Sequence, residues 1–424
     1  MSHEAAILDP KSNPSYHLPR PKAHLIKSDA EAIEIAKQLA PEFAKEAAVR
    51  DAERRLPLPE INMYSQSGLW GITVPKQYGG AGVSNVTLAE VCKIISEADP
   101  NIGQIPQNHF YMVEALRLDG TEWQKQHFFD LVLQGTRFGN AFSEIGTKTV
   151  LDVQTRLTPS EGGYLLNGKK FYSTGALLAD WVPVVAKNEN DDTVIAYVEK
   201  GSKGLTITDD WSSFGQRTTC SGTTLLDNVF VPKENVIPHH LAFDRPTTMG
   251  PVAQIIQAAV DAGIAHAAIK DTMHFVRNHT RPWIDVEPKI EHGYEDPLSI
   301  REIGDLMIRV HAADALLHRA GEYLDRAQAD MNEKSVAEAS IAVSEAKVLS
   351  TETSVLLGSK LFELAGTRST LQQFNLNRHW RKARAHTLHD PVRWKYYGVG
   401  NYYLNGVNPP PAIHGINIQH RHGP

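Results

Sequence analysis

The stretch that decides the fold reads Gly163-Tyr164-Leu165-Leu166-Asn167-Gly168-Lys169-Lys170-Phe171-Tyr172-Ser173-Thr174-Gly175. Short apolar and aromatic runs alternate here with polar residues, and the Asn-Gly pair is typical of a tight hairpin turn. The same alternation continues between Phe138 and Pro238. The sequence therefore predicts a small antiparallel sheet in the middle of the chain.

Helical patterns lie on both sides of this sheet. On the N-terminal side, Ser28-Asp29-Ala30-Glu31 forms a capping box that starts a helical region. On the C-terminal side, apolar residues recur at helical spacing along two long segments: Ile303, Met307, Val310, Leu317 and Leu324, and then Ile341, Val348, Val355 and Phe362. Because long antiparallel helices with such seams form a bundle, we expect a C-terminal helical bundle.

These patterns predict an α+β fold with five parts. They are an extended arm (1–27), an N-terminal helical domain (28–137), a central antiparallel β domain (138–240), a four-helix-bundle domain (241–406) and a tail (407–424). Within the bundle, the segment from Arg281 to Pro297 is rich in proline and charge. It is longer than a normal helix connection, which indicates either a lid or an interface element.

The composition excludes several classes of protein. The 424 residues carry a formal net charge of −6, whereas a protein that tracks nucleic-acid phosphates carries a basic excess. Two cysteines, Cys92 and Cys220, are too few for a disulfide framework or a zinc site and favour a reducing, cytoplasmic setting. The most apolar long segment, Val252 to Ile269, contains Asp261 and His266, so we expect a buried helix and not a membrane span.

Hydroxyl and amide side chains are interleaved with aromatic ones along the central segment. The polar set is Asn140, Ser143, Ser173, Thr174 and Ser221, and the aromatic set is Phe142, Tyr172 and Trp211. This mixture suits a planar heterocycle that forms hydrogen bonds at its edges. An ordinary sheet with polar strand ends would show the same residue types, so the residues alone leave both interpretations open.

The order of helical domain, small sheet and helical bundle resembles that of the acyl-CoA dehydrogenase family. Three strings carry the resemblance: Gly68 to Gly82 (Gly-Leu-x-Gly-Ile-x-Val-Pro…Tyr-Gly-Gly-x-Gly), Ser143-Glu144-x-Gly, and Leu166-Asn167-Gly168-x-Lys170. The similarity covers roughly Ser28 to Gly406. It implies that the sheet and the bundle enclose a flavin and that protomers assemble as homotetramers.

Within that family the chain is similar to reduced-flavin monooxygenases of the dibenzothiophene monooxygenase type, and among these to bacterial sulfur-acquisition oxidoreductases. The strings that carry this likeness are Asp209-Asp210-Trp211, Arg217, Ser221-Gly222, Arg281-Pro282-Trp283, Glu295-Asp296-Pro297 and Arg384-Ala385-His386-Thr387-Leu388-His389-Asp390-Pro391. A dehydrogenase would carry a Glu-Gly-Thr near the last position, where the glutamate takes the α-proton of the thioester. Here the residue nearest to that glutamate is Asp390.

The resemblance also implies the cofactor. The family's FAD-binding dehydrogenases contact the pyrophosphate with an Arg followed by Phe-Gly, and Arg281-Pro282-Trp283 replaces that signature. We therefore expect FMN, bound in its reduced form, with FAD as the alternative. A guanidinium suits a pair of phosphate oxygens, so Arg281 is the expected partner of the FMN phosphate.

Site residues are carried over position by position. The residues expected to contact the cofactor are Asn140, Ser143, Tyr172, Thr174, Trp211, Ser221 and Arg281, and those expected to act in catalysis are His386, His389, Thr174 and His109. Gln104 stands where the branch has a pocket histidine, a departure that affects the substrate more than the chemistry. The residues alone also allow His386 and His389 simply to cap the turn before Pro391. A metal site is not expected.

The implied reaction is oxygen transfer. Reduced flavin reacts with O2 to give a peroxyflavin, which passes one oxygen atom to a small, sulfur-containing organic substrate. Imidazoles near pH 7 could hold the oxygen adduct and control its protons. The partners implied are the substrate, O2 and a separate NAD(P)H flavin reductase, with neither nucleic acid nor membrane.

Two other functions remain open at this point. The first is a flavin dehydrogenase that acts on an acyl thioester with Asp390 as its base. The second is a non-catalytic helical assembly protein that has kept the fold and lost the flavin. The sequence does not name the substrate, nor does it show how the 281–297 segment is folded.

Overall fold

The computed structural model describes residues 20–410. Most of the expected N-terminal arm and of the C-terminal tail, including the tail histidines, lies outside these residues. The N-terminal domain contains seven helices in its described part: α1 (Asp29–Ala44), α2 (Ala47–Glu53), α3 (Leu58–Gln66), α4 (Asn85–Ala98), α5 (Pro100–Gln104), α6 (Gln107–Asp119) and α7 (Glu122–Leu133). The α+β fold expected from the sequence is confirmed.

Local sequence explains where these helices begin and end. The Ser28 hydroxyl accepts a hydrogen bond from the Glu31 amide at the start of α1, as the capping motif predicts. Thr121 and Gln124 form a reciprocal capping box at the start of α7. Gly68 follows the end of α3 with φ of 86°, a conformation in which a side chain would be strained.

The central domain is a seven-stranded sheet. Its strands are β1 (Arg156–Ser160), β2 (Gly163–Lys170), β3 (Trp181–Lys187), β4 (Thr193–Glu199), β5 (Leu205–Ile207), β6 (Thr224–Pro232) and β7 (Val236–Ile237). They lie in the order β5-β6-β2-β1-β3-β4-β7. Most neighbours are antiparallel, as expected, but β1 and β3 are parallel. The sheet is therefore mixed and not purely antiparallel.

The Asn167-Gly168 pair does not form the hairpin turn that its sequence suggests. It lies inside β2, where the register against β6 shifts between Leu166 and Gly168. A side chain at Gly168 would overlap Thr155, so glycine is required there for close packing. The turn that joins β1 to β2 instead contains Gly162, with φ of 75°.

The C-terminal domain consists of long helices around a buried central one. Its helices are α8 (Met249–His279), α9 (Pro297–Ala329), α10 (Glu333–Ala365), α11 (Asn377–His386) and α12 (Val392–Asn405). Helix α8 packs against α4, α9 and α10, and is buried on all sides over most of its length. It is long and apolar enough to cross a membrane, but its most apolar window is 89% buried within the protein, as a core helix is.

Candidate active site

Two chain segments from the sheet form one wall of the site. Residues 173–175 follow β2, and residues 219–222 precede β6. The amide of Ser173 donates to the Gly222 carbonyl at 3.2 Å, and the amide of Gly175 donates to the Thr219 carbonyl at 2.9 Å. These backbone hydrogen bonds hold the two segments side by side.

This pairing brings the predicted hydroxyl groups together. The Thr174 and Ser221 hydroxyl oxygens are 2.7 Å apart, and the Ser221 oxygen is also 2.7 Å from that of Thr219. The Ser173 hydroxyl is buried and makes no hydrogen bond to any residue that the structure describes. The wall thus presents hydroxyl groups whose bonding capacity is partly unused, which a bound heterocycle could satisfy.

An aromatic pair lies beside the hydroxyl groups. The Trp211 indole donates to the Gln216 carbonyl at 2.8 Å, and its ring packs edge-on against Tyr172 with centroids 6.0 Å apart. Tyr172, Gln216 and Cys220 all have positive φ, between 48° and 59°. Backbone strain of this kind in non-glycine residues costs on the order of 1 kcal/mol each and is concentrated at functional sites.

Two other predicted residues, Asn140 and Ser143, lie in the segment between α7 and β1. The Asn140 side-chain oxygen accepts from the Phe142 amide at 3.0 Å. The Ser143 carbonyl accepts from the Phe171 amide at 3.0 Å, and the adjacent Glu144 binds the Lys170 ammonium at 2.7 Å. These contacts fix the local loop, and contact with a cofactor stays a prediction for both Asn140 and Ser143.

The bundle supplies the opposite wall through α11. A side chain at Gly215, in the loop before Ser221, would overlap the Arg381 carbonyl and lie against Ala385. Arg381 also donates to the Phe214 carbonyl at 3.0 Å. The sheet loop that carries Trp211 and Ser221 therefore packs directly on the helix that ends at His386.

Ion pairs hold α11 in place. Arg381 pairs with Asp51 at 2.5 Å and Lys382 pairs with Asp99 at 3.2 Å, and both carboxylates are fully buried. Gln104, at the end of α5, accepts from the Gln216 amide at 2.8 Å. Three parts of the chain, the N-terminal helices, the sheet loop and α11, thus meet at one seam.

His386 lies at the C-terminal end of α11, buried against α8. Its Nδ1 is 2.5 Å from Asp261 Oδ1 on α8, and both side chains are fully buried. Its Nε2 is buried and has no hydrogen-bond partner among the described residues. Burial lowers the pKa of His386, although Asp261 opposes the shift. An unpaired buried ring nitrogen is costly, and a bound ligand would satisfy it.

Asp261 is itself held by the adjacent helix. Its second oxygen accepts from the Lys347 ammonium at 2.6 Å and from the Thr351 hydroxyl at 2.7 Å. Burial by itself would raise the pKa of Asp261, but Lys347 and His386 outweigh it and lower the value to about 2. Asp261, Lys347 and Thr351 are absent from the sites predicted by sequence. The signal was present, because a lone aspartate in an apolar helix needs a partner.

His389 follows one turn later and is partly exposed. Its Nδ1 lies 3.4 Å from Asp390 Oδ1, and Asp390 Oδ2 lies 2.7 Å from the Lys395 ammonium. Burial would raise the pKa of Asp390, but the hydrogen bond with His389 and the positive charges of Lys395 and Lys347 outweigh it and hold the pKa well below its ordinary range. A carboxylate held in this way is a weak base, so Asp390 is unsuited to abstract an α-proton.

His109 bonds to the main chain through both of its ring nitrogens. Its Nε2 is 2.8 Å from the Trp70 carbonyl, and its Nδ1 accepts from the Phe138 amide at 3.0 Å. Burial lowers its pKa to about 4. Because both ring nitrogens are bound to the main chain, His109 has no atom left for a ligand. These contacts join the helical domain to the sheet, and a catalytic role for His109 stays a prediction.

Arg281 is exposed and lies two residues beyond the end of α8. With a rise of about 1.5 Å per residue, it is roughly 25–30 Å along the helix axis from Asp261. Within one chain, Arg281 therefore does not join the residues around His386.

The sheet loop thus carries hydroxyl groups and an aromatic pair, and it packs on the helix that ends at His386, whose Nε2 has no partner among the described residues. The unused hydrogen-bonding capacity of Ser173 and His386 fits the ring of a flavin. Fold and site define a flavin enzyme of the helical, β and helical-bundle type.

Comparison with known proteins agrees with this class. Models of the acyl-CoA dehydrogenase N-terminal, middle and C-terminal domains match residues 30–136, 141–229 and 255–394. Dibenzothiophene monooxygenase of Rhodococcus erythropolis is 33% identical, over 91% of this chain and 96% of the relative. A probable FMNH2-dependent monooxygenase of Pseudomonas putida, SfnC, is 28% identical over 90% of this chain and 97% of the relative.

Solved structures show the same relationship. FMN-bound TdsC from Paenibacillus sp. A11-2 superposes with a TM-score of 0.85 at 29% identity, covering 90% of this chain and 99% of the other. Methanesulfinate monooxygenase MsuC from Pseudomonas fluorescens has a TM-score of 0.83 at 28% identity with the same coverage. The chain belongs to the acyl-CoA dehydrogenase family, in its flavin-dependent monooxygenase branch.

Proposed function

We propose that this protein is an FMNH2-dependent monooxygenase that inserts one atom of O2 into a small sulfur-containing organic substrate. The observation that carries the proposal is the replacement of a basic carboxylate by an imidazole at the seam. His386 presents an unpaired buried nitrogen, whereas Asp390 is neutralised by Lys395. Relatives named for dibenzothiophene, methanesulfinate and FMNH2 support the substrate class and the cofactor.

Each wall of the site has a separate task. When bound, reduced FMN supplies the electrons that activate O2, so that one oxygen atom enters the substrate and the other leaves as water. With FMN bound, Thr174 and Ser221 would hydrogen bond to the flavin, and Trp211 and Tyr172 would pack against it. The packed seam around His386 excludes bulk water, which limits wasteful release of hydrogen peroxide.

His389 is proposed to manage protons at the solvent side of the site. Its side chain is 32% exposed and its Nδ1 lies next to Asp390. A partly exposed imidazole can exchange protons with water, whereas the buried His386 cannot do so directly. Substrate protonation and water release are therefore proposed to pass by way of His389.

Arg281 is proposed to bind the FMN phosphate of a neighbouring protomer. Its distance along α8 separates it from Asp261 and His386 of its own chain, and its exposure leaves it open to another chain. Exposed apolar residues surround it in sequence, since Trp283 is 70% and Ile284 75% exposed. Such exposure indicates that this segment is an interface element.

Assembly as a homotetramer is proposed on the same grounds. In α12, all of which the structure describes, Lys395 alone is buried. The helix exposes Trp394, Tyr397 and Tyr403 by more than half of their surface. An aromatic surface of this kind needs a partner, and a second copy of the chain is the partner that the family implies. Sedimentation velocity of wild type and of Tyr397→Glu tests this assembly.

The function is tested by turnover with a flavin reductase. Sulfides, sulfones and sulfonates are supplied with FMN, NADH and ¹⁸O2, and product is analysed by mass spectrometry. We expect one ¹⁸O atom per product, dependent on the reductase. Bleaching of bound flavin by an acyl-CoA without oxygen would instead identify a dehydrogenase, and absence of FMN binding in either redox state would identify a non-catalytic protein. A cytoplasmic location is proposed from the free thiols of Cys92 and Cys220.

A further inference from the structure

Four side chains from three helices form a closed cluster behind the proposed flavin site. Asp261 comes from α8, Lys347 and Thr351 from α10, and His386 from the end of α11. The side chains of Asp261, Lys347 and His386 have no exposed surface. Within the cluster, the carboxylate bridges the ammonium and the imidazole, so the state of the imidazole depends on both charged partners.

The contacts of Asp261 decide which nitrogen of His386 carries a proton. An ionised carboxylate accepts hydrogen bonds and has no hydrogen to donate. Asp261 Oδ1 lies 2.5 Å from His386 Nδ1, so the hydrogen between them resides on Nδ1. Lys347 and Thr351 donate to the other oxygen, which fixes the orientation of the carboxylate. Nε2 consequently keeps a lone pair unless the ring gains a second proton.

The charges around the ring oppose a second proton. Lys347 already neutralises Asp261 at 2.6 Å, and Lys395 neutralises Asp390 at 2.7 Å. An added proton on His386 would place an unbalanced positive charge next to Lys347 in a fully desolvated core. His389, from the same segment, contributes a further opposing charge when it is protonated. These charges favour a neutral imidazole at His386.

We propose that Asp261 and Lys347 together make His386 a hydrogen-bond acceptor toward the ligand in the site. Asp261 is a positioning residue that holds Nδ1–H, and Lys347 keeps the ring neutral. The lone pair of Nε2, which is buried and has no hydrogen-bond partner among the described residues, is then the atom that a ligand would contact.

The chemistry of the ligand follows from this polarity and rests on the proposed function. The group that contacts His386 must carry a hydrogen, such as the N–H of a reduced flavin or an O–H or N–H of the substrate. If that group is acidic enough, its proton moves to Nε2 while its electron pair stays on the ligand. Asp261, which holds Nδ1–H on the other side of the ring, would then partner the imidazolium, while Lys347 opposes its formation. An oxygen atom that only accepts is disfavoured at this position.

The wild-type protein provides the first test. Protonated and unprotonated imidazole nitrogens have well-separated ¹⁵N chemical shifts, so solid-state NMR of ¹⁵N-histidine-labelled protein reports the state of each ring. The His386 signals are identified by subtracting the spectrum of His386→Gln. At pH 7 we expect one protonated and one unprotonated nitrogen, with the proton on Nδ1. Two protonated nitrogens, or a proton on Nε2 alone, would overturn the proposal.

Variants separate the two partners. Lys347→Met should convert His386 to an imidazolium with two protonated nitrogens, while Lys347→Arg should retain the wild-type spectrum. The charge-balanced double variant Asp261→Asn/Lys347→Met should keep the ring neutral but lose the single tautomer. An unchanged spectrum in Lys347→Met, or a single Nδ1–H tautomer in the double variant, would contradict the assignment. If Lys347→Met does not fold, the wild-type and double-variant spectra still decide the question.

This test is independent of turnover. The NMR measurement uses protein without flavin, so it stands even if the oxygenation assay fails. Conversely, if the enzyme forms product while both nitrogens of His386 are protonated, the proposed function is supported and the acceptor role is rejected. The two proposals can therefore fail separately.

Discussion

Lys395 Nζ lies 2.7 Å from Asp390 Oδ2, and the two side chains are only 7% and 3% exposed. The pair joins α12 to the turn that carries His389. It also occupies the carboxylate that would otherwise be the nearest equivalent of a dehydrogenase base. This ion pair thus holds α12 against the turn and leaves Asp390 unsuited to act as the base of a dehydrogenase.

Removing one member of this ion pair should destabilise the protein more than removing both. Asp390→Asn leaves the Lys395 ammonium buried without its partner, and loss of one member of a buried pair costs about 3–5 kcal/mol. The double variant Asp390→Asn/Lys395→Met removes both charges and should lose much less. Thermal unfolding followed by circular dichroism measures the difference. Equal melting temperatures for the single and double variants would show that the pair contributes no coupling.

Buried histidines should make stability depend on pH between about 4 and 6.5. Burial lowers the pKa of His109 to about 4 and that of His239 to about 3. The unfolded chain, with ordinary pKa values near 6.5, binds more protons in this window, so acidification favours unfolding. Each histidine contributes up to roughly 3 kcal/mol of this loss by pH 4.

The contribution of His109 is separable by substitution. His109→Gln should lower the melting temperature at pH 7.5 but show a smaller further decrease at pH 5 than the wild type does. The exposed His318, whose side chain is 63% exposed, provides the control, and His318→Gln should keep the wild-type slope. A wild-type slope in His109→Gln would show that this ring titrates normally.

The hydroxyl pair should contribute to flavin binding. Thr174→Val and Ser221→Ala each remove one partner of the 2.7 Å contact, and we expect FMN to bind about 5- to 10-fold more weakly in each, from the typical 1 kcal/mol of a hydrogen bond. Because the two hydroxyls share one contact, the double variant should lose less than the sum. Flavin fluorescence titration measures the affinity, with Thr158→Val on β1 as the control. Additive losses would show that the hydroxyls act independently.

Arg281 should discriminate FMN from riboflavin. If its guanidinium binds the phosphate, Arg281→Ala should weaken FMN by about 10- to 100-fold, as expected for a charge-assisted hydrogen bond, and leave riboflavin unchanged. Arg301→Ala, at an exposed position on α9, should affect neither ligand. Isothermal titration with both ligands gives the ratio. Equal weakening of FMN and riboflavin would place Arg281 outside the phosphate site.

His389 should affect the coupling of oxygen consumption to product formation more than it affects FMN binding. His389→Ala is expected to keep FMN affinity within about twofold and to divert oxygen from product to hydrogen peroxide, because proton control at the site is lost. The measurement is the ratio of product to peroxide per NADH consumed. His318→Ala is the matched control. An unchanged product yield in His389→Ala would remove His389 from the mechanism.

Much of the fold was readable from the sequence. The apolar spacing along α9 and α10 and the Ser28 cap depend on residues within a few positions of one another, and the structure confirms them. The replacement of a catalytic glutamate was visible because it lies in one short string. The Asn167-Gly168 pair was misread, since close packing against Thr155 decided its conformation and not the local turn preference.

The sequence by itself determined the element types, their order and the residue types offered to a flavin. Only the tertiary structure decided which of those residues meet. Asp261, Lys347 and His386 come from three helices, and their pairing depends on how those helices pack. Burial then sets the protonation of each group, because the cost of an unpaired charge depends on the solvent it has lost. The main-chain partners of His109, Trp70 and Phe138, are likewise distant in sequence and meet it only in the folded chain.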